Sequence, residues 1–355
     1  MKRSLPVLLS LLALCPALAF AQSDPGVLFE RGALRRAETA CVHRLAANPN
    51  DAAATGVLAR IRAEQDRFDE AIKLAQKAVA LAPGSADAHY ALCEVSGQKA
   101  QAGGVLSAMG SAKTCRREAE AALALDPDHV DAITTLMEFY RQAPGIVGGD
   151  KKKATQMLDR LVKVSPERGW IMRAQLAARE QDSTSAEQYY RKAVEVAPLS
   201  ARAKVALGSW LAQPYRRPAE SEKLAAEAVV LEPWRSGGWQ LLAALQAHQS
   251  RWDDMEATLA RAEAADPDHR QPYYTAARQL VVEKREGARA EALLRKYLAK
   301  EPDIGSQSIG AAHWRLGLAL ELQGRKPDAI VEIQTAVKLD PKLEDAKKDL
   351  KRLRG

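Results

Sequence analysis

Residues 236–267 read SGGWQLLAALQAHQSRWDDMEATLARAEAADP, two Ala- and Leu-rich helical stretches on either side of a polar turn, stopped by Pro267. Proline cannot continue a helix, and it fixes the turn that follows. The same punctuation runs outward in both directions. Pro49, Pro83, Pro127, Pro166, Pro198, Pro233, Pro267, Pro302 and Pro341 each close an Ala-rich stretch, in contexts as alike as VALAPGS, LALDPDH, VVLEPWR and VKLDPK. Successive spacings are 34, 44, 39, 32, 35, 34, 35 and 39 residues. Four of them lie within one residue of a 34-residue helix-turn-helix period, and the others require a longer or shorter loop.

These residues resemble the tetratricopeptide repeat family, in the form found in secreted bacterial proteins. Trp239, Leu242 and Ala243 fill the first-helix signature, and Leu259, Ala262 and Pro267 the second. The same slots carry Leu207, Gly208, Ala225, Ala228 and Pro233 in one further segment, and Leu316, Gly317, Ala329, Ile333, Ala336 and Pro341 in another. A glycine opposite an alanine lets paired helices approach closely, and a bulky side chain there would overpack them by ~1–3 kcal/mol. The resemblance implies an all-α protein: a right-handed α-solenoid of about eight helix-turn-helix repeats over residues 51–342. Residues 22–50 are expected to form an N-terminal capping helix or half repeat, with a single helix from Val27 to Ala47. Residues 343–355 are expected to form a C-terminal capping helix. Terminal repeats of a solenoid need such polar caps.

Composition fits a folded chain, with 47% hydrophobic, 27% charged and only 5% aromatic residues among 355. The net charge of +7 is scattered, with no basic stripe interleaved with aromatics, so nucleic acid is not an expected partner. Residues 1–21 read as a signal peptide: Lys2 and Arg3, an apolar run from Leu5 to Phe20, and small residues at Ala19 and Ala21 before Gln22. The run is too short to span a bilayer, and no other segment is suited to it. A lipoprotein signal would use Cys15, but Leu14 stands where a small residue is needed. The expected location is therefore the periplasm or the exterior, after cleavage near Ala21–Gln22.

In that oxidising setting the register implied by the family places Cys93 in the small first-helix slot facing Cys115 in the second helix. Such packing brings Cα atoms towards the roughly 4.4–6.8 Å a disulfide needs. Cys41 is left as a buried packing residue. His129 and His269 both fall in the turn sequence DPDH, where recurrence points to turn chemistry and away from metal binding. No histidine pair or Cys-x-x-Cys has metal-ligand spacing, and no cofactor is implied.

Two stretches look like enlarged loops on one rim: GGVLSAMGSAK from Gly103 and APGIVGGDKKKA from Ala143. The second lacks the Gly-Lys-Ser/Thr of a phosphate loop, although Lys151, Lys152 and Lys153 at a helix start could form a modest anion site. Their apolar residues Val105, Leu106, Met109, Ile146 and Val147 have no evident core role, and either pack on one another or form a docking patch. The family register assigns the concave groove to Asp87, Tyr90, Glu94, Asp131, Glu138 and Arg141 early in the chain. Later it assigns Arg202, Gln240, Tyr274, Arg278 and Trp314. The first group leans acidic and the second is basic and aromatic, which suits an extended peptide or helix. No nucleophile elbow or zinc-protease motif occurs, so a binding scaffold for a peptide or protein is expected, not an enzyme. An accessory role in envelope polysaccharide or cell-wall assembly, with Tyr274 and Trp314 stacking on glycan, is the alternative.

Overall fold

The computed structural model describes residues 24–355 apart from 104, 214 and 215, and only the backbone of 105–107. The expected signal segment lies outside these residues. All regular structure among them is helical. The first hairpin is α1 (Pro25–Glu30) and α2 (Leu34–Ala47). Eight further pairs follow: α3–α4 (Ala52–Glu64, Phe68–Leu81), α5–α6 (Ala86–Ala102, Val105–Leu125), α7–α8 (Val130–Gln142, Lys151–Val164) and α9–α10 (Pro166–Arg179, Ser183–Val196). The later ones are α11–α12 (Ala201–Leu211, Pro218–Leu231), α13–α14 (Ser236–His248, Trp252–Ala265), α15–α16 (Gln271–Val282, Gly287–Leu298) and α17–α18 (Ile309–Leu322, Lys326–Leu339). Helix α19 (Glu344–Arg354) completes the stack.

Local chemistry sets the boundaries. Asp51, Ser85, Ser200 and Ser308 each cap the following first helix by accepting the amide three residues on, at 2.9–3.2 Å. Asp66, Gln181, Ser250 and Gly324, with φ of 59°, 62°, 59° and 74°, turn the chain left-handed at the end of a first helix. Between paired helices the contacts are small. Ala71, Ala75 and Ala78 of α4 are fully buried, as are Ala329, Ile333 and Ala336 of α18. A Cβ on Gly317 would collide with Ile333 and with the carbonyl of Ala329. Each fully buried Leu or Ile contributes about 1.5–3 kcal/mol, but only because the neighbouring hairpin covers it. The apolar cluster of α13–α18 is sealed by Ala346 and Leu353 of α19.

Two expectations at the start and middle of the chain are corrected. Val27–Ala47 is not one helix: Gly32, at φ +79°, breaks it into α1 and α2. The stretch after Gly103 is not a loop either. It is helical from Val105, so that α6 runs 21 residues and Met109 lies on it, exposed. Its Ala, Leu, Met and Lys content favours helix, and no proline interrupts it.

The stack curls until its beginning meets its later turns. Residues 31–36 touch three successive inter-repeat connections. Arg31 stacks over Trp234 at 5.0 Å. Arg36 pairs with Asp266 at 2.6 Å and with Asp268 at 3.5 Å. Arg35 pairs with Glu301 at 2.6 Å and donates to the Pro302 carbonyl at 2.9 Å. Helix α2 has no cap from its own Ala33. The side chain of Asp303 supplies it, accepting from the backbone N–H of Leu34 at 3.1 Å and of Arg35 at 3.0 Å. Ile304 packs against the core formed by Leu28, Ala33, Ala37, Cys41, Leu58 and Ile61.

Candidate partner groove

The first helices of the repeats line the inner face, and the first hairpin lies across it. Glu30, the last residue of α1, borders two separate cavities of about 460 Å³ each. The first lies between α1, α3, α5 and α7 and is bordered by Asp24, Glu30, Arg44, Arg60, Asp87, Tyr90 and Asp131, with His129 at its edge. Four of these are carboxylates. The Arg60 guanidinium, held 4.0 Å over the Phe29 ring, donates to Glu94 at 2.6 Å and lies 3.6 Å from Glu30. Burial pushes the Glu94 carboxyl up, against the pull of Arg60. Tyr90 stacks on His129 with centroids 5.0 Å apart, and burial pushes its phenol up. His129 Nε2 lies 3.3 Å from Asp87, and that hydrogen bond holds the Asp87 carboxyl below its ordinary range.

The second cavity is bordered by Arg31, Arg202, Arg235 and His269, with Glu30 as its one carboxylate and the uncapped start of α13 at Ser236–Gly238. Arg202 is exposed into it. Sequence reasoning missed Arg31, Arg60 and Arg235, because the groove register was not extended to the first hairpin, to α3 or to turn residues. Arg31 carried a signal in the run RGALRR at 31–36.

The remaining expected groove residues separate by environment. Asp131 is paired with Arg168, and Glu138 with Arg141 at 2.6 Å and Arg179 at 3.4 Å. Gln240 donates to Ser236 at 2.9 Å and accepts from Thr275 at 3.1 Å. Arg278 is exposed on α15. Tyr274 is only 5% exposed and packs on Tyr297, with centroids 5.4 Å apart, so it belongs to the core and offers no stacking face. The Trp314 indole N–H is held by Asp349 of α19 at 2.9 Å, and Arg315 covers the ring at 4.0 Å.

At the expected rim loop, Ile146 is 94% exposed on a short 3₁₀ turn, Gly145–Val147, with Val147 half-buried. The helix start expected to hold an anion is capped by its own chain. The Asp150 carboxylate caps α8 by accepting from Lys152 and Lys153 N–H at 2.9 and 3.1 Å, so the helix start already holds a negative charge. The side chains of Val105 and Leu106 lie outside the description. Cys93 and Cys115 are joined across α5 and α6, with Cα atoms 3.6 Å apart, closer than the range assumed above. Cys41 is fully buried, and burial pushes its thiol up to about 12. In both DPDH turns the leading Asp accepts the amide two residues on, Asp126 at 3.0 Å and Asp266 at 3.1 Å. No group of three metal-ligating side chains occurs among the described residues, and no described helix is long and apolar enough to cross a membrane.

Tetratricopeptide repeat models match residues 27–86, 279–344 and 167–198. No curated protein is similar enough in sequence to match the chain. Among solved structures, yeast Tom70 is similar at TM-score 0.54 and 16% identity, over 97% of this chain and 82% of that one, which shows a shared fold. A tetratricopeptide repeat protein from Parabacteroides merdae is similar at TM-score 0.47 and 16% identity, over 74% of this chain and 99% of that one. PilW, a type IV pilus biogenesis factor, is similar at 0.45 and 21%, over 62% and 98%. The matching repeat models, the helical hairpins described above and the fold shared with Tom70 agree: the chain is a tetratricopeptide repeat protein.

Proposed function

We propose that the protein is a non-enzymatic scaffold of the bacterial periplasm that takes an extended peptide or protein segment along its inner face. Repeat solenoids of this family are protein-interaction scaffolds in general. The observation that carries the finer reading is the charge of the two cavities. Asp24, Glu30, Asp87 and Asp131 border the first against Arg44 and Arg60, and Arg31, Arg202 and Arg235 border the second against Glu30. A segment basic at one end and acidic at the other would be both attracted and oriented. The Cys93–Cys115 bond and the leader-like residues 1–21 support an exported protein. The glycan reading loses its main support, since Tyr274 is buried and the Trp314 ring is covered by Arg315.

The test is cross-linking capture from envelope extract, followed by titration of the captured segment as a synthetic peptide. Charge reversal at both Arg202 and Arg235 is expected to weaken binding at least about tenfold and to flatten its salt dependence. Unchanged affinity in the reversed protein would remove the groove from consideration.

A further inference from the structure

The geometry points to an intramolecular latch: residues 31–36, held by the 266–269 turn and the 299–304 connection, close the superhelix and insert Glu30 and Arg31 as a partition across its inner face. This inference rests on the groove reading given above and concerns the regulation of that groove.

Three independent kinds of contact make the latch. The first is charge: Arg35 and Arg36 reach Glu301, Asp266 and Asp268. The second is the backbone cap, in which a carboxylate 99% buried receives two helix-start N–H groups from a helix that has no cap of its own. The third is apolar, Ile304 seated in the core of the first hairpin. The connection that supplies Glu301, Asp303 and Ile304, residues 299–308, is the long one between α16 and α17. The other described connections of that type run one to five residues, for example 48–51, 82–85, 232–235 and 266–270.

Arg31 over Trp234 adds to the latch; the other contacts of the first hairpin are with its own neighbours, Arg60 on Phe29 and Glu30, and Arg62 on Glu38. Release of the latch therefore lets the first hairpin move with α3 and α4, away from α11 and α13. Glu30 and Arg31 leave with it, and the acidic and basic cavities become one continuous trough. A short segment fits one chamber with the latch closed; a long one that uses both requires it open. Because a ligand shifts such an equilibrium only by its preference for one state, long segments open the latch and short ones do not.

Three fluorescent peptides test this: six lysines, six glutamates, and the two runs joined by a flexible Gly-Ser spacer. They are titrated into three full-length proteins. One is wild type. The second is latch-open, with Arg35→Ala, Arg36→Ala and Asp303→Ala. The third is latch-locked, with Arg36→Cys and Asp268→Cys bridged by a short thiol cross-linker, to which buried Cys41 stays inert. In the open protein the joined peptide is expected to bind about a hundredfold more tightly than either half, as linked sites do. In the locked protein it should bind no better than the better half, and in wild type in between. An equal gain for the joined peptide in all three proteins overturns the latch alone. Failure of both half peptides to bind any of the proteins overturns the groove reading, and the latch with it. Hydrogen exchange gives a readout without ligand: the Leu34 and Arg35 amides, protected by Asp303, exchange slowly in wild type and freely in the open protein, with α9–α19 unchanged. Free exchange of these amides in wild type would also refute the closed state.

Discussion

Cys93 and Cys115 tie α5 to α6 a few turns below the top of the longest hairpin in the stack, 22 residues apart in sequence. A cross-link of that loop length removes about 3 kcal/mol of chain entropy from the unfolded state. Cys93→Ser with Cys115→Ser is therefore expected to lower stability by about that amount in urea denaturation monitored by circular dichroism. Protein produced without residues 1–21 and left unreduced should carry one thiol, Cys41, which alkylates only on unfolding. Uptake of three alkyl groups when the unreduced protein is unfolded would refute the bond.

The closeness of the paired helices makes opposite predictions for two glycines. Gly317→Ala pushes a methyl into Ile333 and the Ala329 carbonyl and is expected to cost about 1–3 kcal/mol. Gly110→Ala, on the solvent side of α6 with nothing near its Cβ, should stabilise by about 0.5–1 kcal/mol, because alanine gives up less freedom in a helix. Thermal melts of the two variants should move in opposite directions.

Arg60 holds a carboxylate that burial disfavours. Arg60→Met leaves Glu94 four-fifths buried without its partner and is expected to cost about 2–3 kcal/mol. Adding Glu94→Gln should restore part of that loss. A double variant no more stable than the single one would show that the cost lies in the lost stacking on Phe29.

The latch also carries a pH dependence. The hydrogen bond that His269 donates to the Asp266 carboxylate raises His269 above the ordinary 6.5 despite burial, with Asp303 acting in the same direction and Arg36 against it. A raised histidine contributes stability that is full below about 6.5 and lost as pH rises through its folded value. Asp266, although burial works the other way, is held below its ordinary range by His269, so its contribution is lost only as pH falls well into the acid range. Burial raises Asp303, which adds to the preference for lower pH. The stability of this turn should thus fall from neutral towards alkaline pH, whereas closure, which brings Arg36 against His269, should strengthen. By NMR titration the His269 midpoint should lie above 6.5, fall in Asp266→Asn and rise further in Arg36→Ala. A midpoint indifferent to both substitutions would refute the assignment.

The repeat was legible because its causes are local. A proline after each pair and small residues at 208, 225, 317 and 329 can be read within one period, as can the facing cysteines. The inner face was less so. Counting along a helix places Tyr274 near the groove, but a rotation of one residue decides whether a side chain meets solvent or the next helix, and here it meets Tyr297. Gly32 marked the break in the first helix, yet a lone glycine inside an Ala- and Leu-rich run is often tolerated. The contact of Asp303 with Leu34 spans 269 positions and follows no period, so no pattern announced it. Its trace in the sequence is an over-long connection whose Asp and Ile have no task within their own repeat.

Solenoids ordinarily come apart by fraying, since a terminal hairpin has a neighbour on one side only and its opening disturbs little else. Here Ile304 and Asp303 give the first hairpin a second neighbour drawn from the far part of the chain. Melting either partner exposes the other, so the two regions should unravel in one cooperative step. The closing contact must also form last and slowly, after most of the intervening chain has been laid down, because its loop is nearly the whole molecule.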